Sequence, residues 1–333
     1  MTVDIRTGFQ PPVDGEVIGA SQLRYDAFLR WVKELKGLGG AEGKAVVFAD
    51  QYEGVDMVAK IIAAITSVYE VYGGGVVVVI PGIHISPTIL APVQAAPKVT
   101  VMGLGYYLGQ YGMPPTILQQ STSTYIVNLL TKGSIAFCGL GFQYSHPQSG
   151  IVMRGYNSGA VYLHQCYLYG GYNGPEVLKV EQNANGWDIR DTFIGRYNNG
   201  VNGHAVVFDN AYDCHLKRVR GTVNGHGVKI TGTGSAGVYN KDFSFEECMF
   251  GPAMYQANQR DAYYIDAVNV GRIEWDKCKQ LSAHANYGAN ARYAINVVST
   301  PVDTLKIFHG KFYGQTAAFN DKSKFVMDVV GIE

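Results

Sequence analysis

Glu246 and Asp276 occupy the same place in two successive copies of a short phrase, one residue beyond an apolar-x-apolar pair. If successive copies stack as neighbouring strands ~4.8 Å apart, the two carboxylates come near the ~5 to 5.5 Å separation at which paired acids cleave a glycosidic bond with retention. One group then acts as proton donor and the other as nucleophile, and mutual repulsion of two close carboxylates helps to divide those roles. Asp191 and Glu247, one residue further along and two copies apart, fall at ~9.6 Å by the same spacing, near the inverting range, with Arg218 between them.

The phrase that positions these groups recurs along most of the chain. Its second apolar residue is Val101, Phe137, Leu163, Ile189, Leu216, Phe245, Trp275 and Ile307, at intervals of 26 to 36 residues. A period of that size marks a solenoid, in which each unit buries its apolar face only against the next. The phrases alternate apolar and polar at period two and are rich in β-branched and aromatic residues, so they are strands. A second strand recurs between them, at Ile151 to Met153, Leu178 to Val180, Val206 to Phe208, Val228 to Ile230, Tyr264 to Ile265 and Ile295 to Val297. Polar corners follow, such as Asn157-Ser158-Gly159 and Asn183-Ala184-Asn185-Gly186, where Asn and Gly accept the left-handed backbone of a sharp turn. Short strands, Asn/Gly corners and a stacked interior of Val, Ile, Phe and Cys predict an all-β chain, a parallel β-helix.

Composition agrees and excludes several functions. Charged residues make up 16% of the 333 residues and the formal net charge is zero, which gives no electrostatic case for nucleic acid or an anionic membrane. The most apolar run, Val76 to Ile80, is far short of a membrane span, and the opening Met1 to Ile5 is polar and acidic where a signal peptide would be basic and then apolar. The five cysteines form no C-x-x-C pair, and Cys166, Cys248 and Cys278 share one column of the repeat, with Cys214 at an interior strand position and Cys138 in a turn. Buried structural thiols are expected, with neither a metal nor another cofactor.

The N-terminal part reads differently. Residues 1–50 form an arm and a helical head or attachment segment, with helical spacing over Tyr25 to Leu38. Residues 51–333 form the β-helix domain, opened by a capping helix over 55–72 that stops at Gly73-Gly74-Gly75.

Three further sets of residues invite function. The two positions after each apolar pair point outward or into the turn; the second reads Gln165, Asp191, Arg218, Glu247, Lys277 and His309, an alternating ladder that pins the register. V-N-G-H occurs twice, ending at His204 and His226 with His215 between, a stacked pair for metal or acid-base work or a turn repeated by geometry. Tyrosines crowd particular segments: Tyr106 and Tyr107, then Tyr167, Tyr169 and Tyr172, then Tyr263, then Tyr287. Their flat apolar rings with a hydroxyl suit sugar rings or protein interfaces. Longer coils toward the C-terminus carry extra residues at 251–261 and 283–292, which would build a binding face or a subunit interface.

The stretch Gly73 to Tyr106, with its Gly-rich turn, valine-rich strand, Pro81-Gly82 corner and V-T-V-M-G-L-G-Y strand, resembles the opening coils of the pectate-lyase-like superfamily. The resemblance covers roughly residues 50–333 and implies a right-handed parallel β-helix. That superfamily holds polysaccharide lyases, glycoside hydrolases, epimerases and viral tailspikes. Its lyases use Lys or Arg bases, for which Arg190, Lys217 and Arg218 stand in suitable columns, but the chain lacks their clusters of calcium-binding aspartates. The expectation is therefore a virion-type adsorption protein that works at the virion or extracellular surface and binds surface polysaccharide or neighbouring subunits. It would assemble with itself as a trimer or filament and meet other virion proteins through its N-terminal segment. The alternative is a polysaccharide-degrading enzyme, glycoside hydrolase ahead of lyase, working at Glu246 and Asp276.

Overall fold

The structure is a computed structural model that describes residues 45–92, 98–104, 114–130 except 123, 133–145, 150–171, 174–195, 203–232 except 224, 242–252, 260–280 except 268–269, 292–299, 302–308, 317–321 and 328–330. The head, the helical spacing over 25–38, and Tyr106, Tyr107, Tyr172, Tyr287 and His309 lie outside these residues. The strands assemble into three parallel sheets of eleven, eight and eight strands, and each turn of the middle of the chain adds one strand to each sheet in order. The result is a right-handed parallel β-helix.

The first sheet is built from the repeated phrase. Val101, Phe137, Leu163, Ile189, Leu216, Phe245, Trp275 and Ile307 pair Cα to Cα from coil to coil, so the periodicity is the register. Those from Val101 to Trp275 are buried, together with the partners two residues earlier in each phrase. The second sheet contributes Leu118, Phe142, Leu168, Ile194 and Phe250 to the same interior, and the third contributes Leu178, Val180, Val206, Phe208 and Ile265. Among the largest fillers is Trp187, whose Nε1 donates to Ser158 Oγ at 3.1 Å. Gly155 makes room for it, because a Cβ there would collide with the indole ring.

One residue per coil turns the chain from the first sheet to the second. Gln165, Asp191, Arg218, Glu247 and Lys277 all adopt φ between 50° and 53°, and Gly139 takes 64° at the equivalent place. A left-handed conformation costs a non-glycine residue ~1 to 2 kcal/mol. The backbone recovers part of that cost: the N–H of each of Gly139, Gln165, Asp191, Arg218 and Glu247 donates to a carbonyl of the following coil at 2.8 to 3.1 Å. Inter-coil hydrogen bonding thus continues through the corner, and the following residue (Leu140, Cys166, Thr192, Val219, Cys248 or Cys278) points inward.

At the N-terminal end a helix, α1 (Met57–Tyr72), stands between the strands Ala45–Phe48 and Gly75–Val79 of the first sheet, where later coils carry strands of the other two sheets. Asp56 caps it by accepting from Ala59 N at 2.8 Å, and Gly73 ends it at φ 66°. Val58, Ile61, Ala64, Ile65 and Val68 face the coils and join the core with Val77, Val79, Val99 and Val101. The helix starts after the expected Val55, which is exposed, because Asp56 supplies the cap. Ala45–Phe48 pairs with Gly75 to Val78, so the first sheet begins upstream of residue 51. No helix among the described residues is long and apolar enough to cross a membrane.

Candidate functional site

Side chains alternate across each strand of the first sheet, so each coil shows at least two outward residues and one corner residue to the exterior, and the longer strand Val270–Asp276 adds Arg272 as a third. One outward column runs Ala136, Tyr162, Asp188, His215, Ser244 and Glu274; the other runs Cys138, His164, Arg190, Lys217, Glu246 and Asp276. The corner column stands beside them. Cys138 thus ends a strand rather than sitting in the turn.

This face is organised by pairs. Arg190 donates from Nε and Nη2 to Asp188, two residues away on the same strand, at 2.7 and 2.6 Å. Arg218 reaches back one coil to grip Asp191 at 2.6 and 2.8 Å, while His164 Nε2 approaches the same carboxylate at 3.3 Å. The Arg218 guanidinium holds the Asp191 carboxyl below its usual range. Lys217 Nζ meets Glu246 Oε1 at 2.6 Å, Arg272 Nη2 meets Glu274 Oε2 at 2.6 Å, and His215 Nδ1 contacts Ser244 Oγ at 2.7 Å. Pairs as exposed to solvent as these add little stability. Their larger effect is to fix the orientation of donors and acceptors along the face.

Glu246 and Asp276 are Cα partners on adjacent coils, as their column implied. The carboxylate of Glu246 is engaged by Lys217, and the carbonyl of Asp276 accepts from Glu247 N at 2.8 Å. Arg190, Lys217 and Arg218, the three cations in base-like positions, are each tied to a carboxylate. Arg218 therefore closes on Asp191 and separates it from Glu247.

The tyrosines divide. Tyr167 lies on the second sheet, buried and stacked between Phe193 at 4.9 Å and Tyr169 at 5.9 Å. Tyr169 is half-buried beside it. Tyr263 is 1% exposed and packs inside against Phe245, Phe250 and Trp275, so it is a core residue and not a contact surface. The reason is parity: Ile265 must face inward, and Tyr263 shares its side while Tyr264 takes the other. Sequence reasoning missed Tyr162 and Tyr156, which are 46% and 40% exposed. Tyr162 was legible as the middle residue of its own apolar-x-apolar phrase, Val161 to Leu163.

The repeated V-N-G-H belongs to a different construction. His204 and His226 stack with ring centroids 5.1 Å apart, and the ring of Tyr264 continues the stack at 4.4 Å. His226 N donates to His204 Nδ1 at 2.9 Å, and Asp261 N donates to His226 Nδ1 at 3.0 Å. Asp261 Oδ1 then accepts from Tyr293 N at 3.1 Å, so one column runs His204, His226, Asp261, Tyr293 with a side chain bridging to the next backbone at each step. Burial, aided by Arg260, Lys229 and Arg292, pushes the His226 imidazole down to about 3. The ring is therefore neutral, and the 3.7 Å approach of Asp261 Oδ2 is not an ion pair. Both Nδ1 atoms are occupied by backbone donors and His215 lies apart on the first sheet, which favours the turn reading over a metal or acid-base site. Among the described residues no group of three or more His, Cys, Asp or Glu is arranged to hold a metal.

All five thiols are free, and Cys166, Cys214, Cys248 and Cys278 are buried. In the shared column, Cys166, Cys248 and Cys278 donate from Sγ to the carbonyls of Phe137, Leu216 and Phe245 on the preceding coil, at 3.4, 3.2 and 3.1 Å. The thiol fills space like a small hydrophobe and still serves an inward carbonyl.

No protein-family model matches the chain, and no curated protein matches it. Among solved structures, ORF18 of Geobacillus virus E2 superposes with a TM-score of 0.59 at 14% identity, covering 93% of this chain and 62% of that one. The chain therefore spans less than two thirds of that protein's length. The tailspike protein gp49 of Acinetobacter baumannii bacteriophage Fri1, a capsular polysaccharide depolymerase, gives 0.45 at 12% identity over 88% of this chain and 62% of that one. The A-module of the mannuronan C-5 epimerase AlgE4 of Azotobacter vinelandii gives 0.35 at 12% identity over 85% and 99%. The last two superpositions are too loose to bear on function. What the chain has in common with the viral protein is its fold, and by fold it is a right-handed parallel β-helix.

Proposed function

We propose that the chain is a virus-type adsorption protein that binds cell-surface carbohydrate along the outer face of its first sheet. One observation carries the reading: that face is a run of hydrogen-bonding side chains held in place by one another, coil after coil, with an exposed tyrosine at Tyr162. Carbohydrate is recognised by oriented donors and acceptors with flat apolar platforms, and a strand repeat of ~4.8 Å offers both at regular intervals. A similar fold in a viral protein is consistent with this reading. In the same proposal the protein acts at the virion or extracellular surface and self-associates as a trimer or filament, with residues 1–50 engaging other virion proteins.

The adjacency of Glu246 and Asp276 favours one second reading, a polysaccharide hydrolase. Two measurements separate the readings. An adsorption protein should release no reducing ends from the glycan it binds, with or without Glu246→Gln and Asp276→Asn, whereas reducing-end release that both substitutions abolish would establish the hydrolase. Light scattering gives the mass in solution: a multiple of 36.2 kDa supports the assembled adsorption protein, and a monomer turns the proposal toward the enzyme.

A further inference from the structure

The same face carries information about which glycan it takes, and this inference rests on the carbohydrate reading above. From the coil after Tyr162 through that of Arg218 its Lys and Arg side chains are already paired, whereas Lys277 and Lys306, further along, make no ion pair among the described residues. Arg190 spends two donors on Asp188, Arg218 spends two on Asp191, and Lys217 and Arg272 hold Glu246 and Glu274. An acidic sugar would have to displace one of these carboxylates or share its cation, and in either case would lie beside it as a like charge. A sugar hydroxyl faces no such contest, because a paired guanidinium keeps free N–H groups and a paired carboxylate keeps free lone pairs.

Tyr162 sits where this paired region begins. Its neighbour on the following coil is Asp188, and its neighbours on the preceding coils are the small residues Ala136 and Thr100. One side of the exposed phenol therefore looks across small uncharged side chains while the other meets the Asp188–Arg190 pair. A pyranose ring stacked on Tyr162 over Ala136 would bring its hydroxyls to Asp188, Arg190 and His164. From this juxtaposition we infer that the ligand of the first-sheet face is an uncharged glycan seated on Tyr162.

The test is affinity electrophoresis of the full chain, with Tyr162→Ala and Tyr162→Phe, through gels holding neutral polysaccharides (dextran, mannan, laminarin, galactan) or acidic ones (alginate, hyaluronan, polygalacturonate), at low and high salt. Thermal melts confirm that each variant is folded. Retardation by neutral polymers alone, insensitive to salt, weakened about tenfold by Tyr162→Ala and kept by Tyr162→Phe, is the expected result. Retardation by acidic polymers that fades with salt would overturn the inference and leave carbohydrate adsorption standing. Neutral binding indifferent to Tyr162→Ala would overturn the seat assigned to Tyr162. Retardation by neither class would sink both the inference and the carbohydrate reading beneath it.

Discussion

Asp261 gives its backbone N–H to Nδ1 of His226 at 3.0 Å, so the imidazole is held in the form that carries no proton on that nitrogen. The groups facing the ring are the Asp261 carboxylate, the His204 and Tyr264 rings and the cations Arg260, Lys229 and Arg292. Its pKa is depressed from 6.5 to about 3, so between those values the unfolded chain binds a proton that the folded chain refuses. Stability from this site is complete above pH ~6.5 and declines as the pH falls toward 3, by on the order of a few kcal/mol. His226→Asn keeps an acceptor for Asp261 N but cannot titrate. Urea unfolding from pH 7 to pH 4 should show a shallower decline in that variant; an unchanged slope would remove His226 as the cause.

Gly155 admits the Trp187 indole and stands close to Ser158, whose Oγ would lie 2.7 Å from an added Cβ. Gly155→Ala should destabilise the fold by ~1 to 3 kcal/mol through overpacking, read as a lower urea midpoint with an unchanged slope.

The left-handed corners predict a contrast. Lys277 has φ 51°, and Lys277→Gly should stabilise by roughly 0.5 to 1 kcal/mol once strain relief is set against the added freedom of glycine. Arg218→Gly relieves the same strain but loses the two bonds to Asp191, so its gain should be smaller by ~0.5 to 1 kcal/mol. Equal gains in equilibrium unfolding would mean that the Asp191 pair adds nothing.

The cysteines predict slow thiol chemistry. Burial pushes Cys166 up to about 12 and Cys138 up to about 11, so little thiolate is present near neutrality. An aromatic disulfide reagent at pH 7.5 should titrate almost no thiol in the native protein and all five in denaturant. A fast native phase would identify an opening coil.

Why the fold was readable and the face only partly so follows from the same repeat. Interior positions are constrained by packing on both neighbouring coils, and the series from Val101 to Ile307 therefore shows in residue type alone. Outward positions carry no such constraint. The columns of Glu246 and Asp276 align by counting from the interior, but the Arg190–Asp188 pair does not show in an alignment of successive coils, because it joins residues two apart on one strand that share a face. Tyr263 was misplaced because two adjacent tyrosines give no parity until Ile265 decides it. Asp261 escaped notice because its column is defined by backbone bonds to His226 and Tyr293, not by any residue pattern.

The backbone continuity through the Asp191 and Arg218 corners has a consequence for how such a protein can change. Because main-chain bonds carry the coil-to-coil attachment around the bend, the outward letters of each rung can be rewritten without loosening the rod. Under the proposed carbohydrate reading, a new ligand preference would arise from a few exchanges at places such as Tyr162, Asp188 and Arg190, with the scaffold indifferent to the edit.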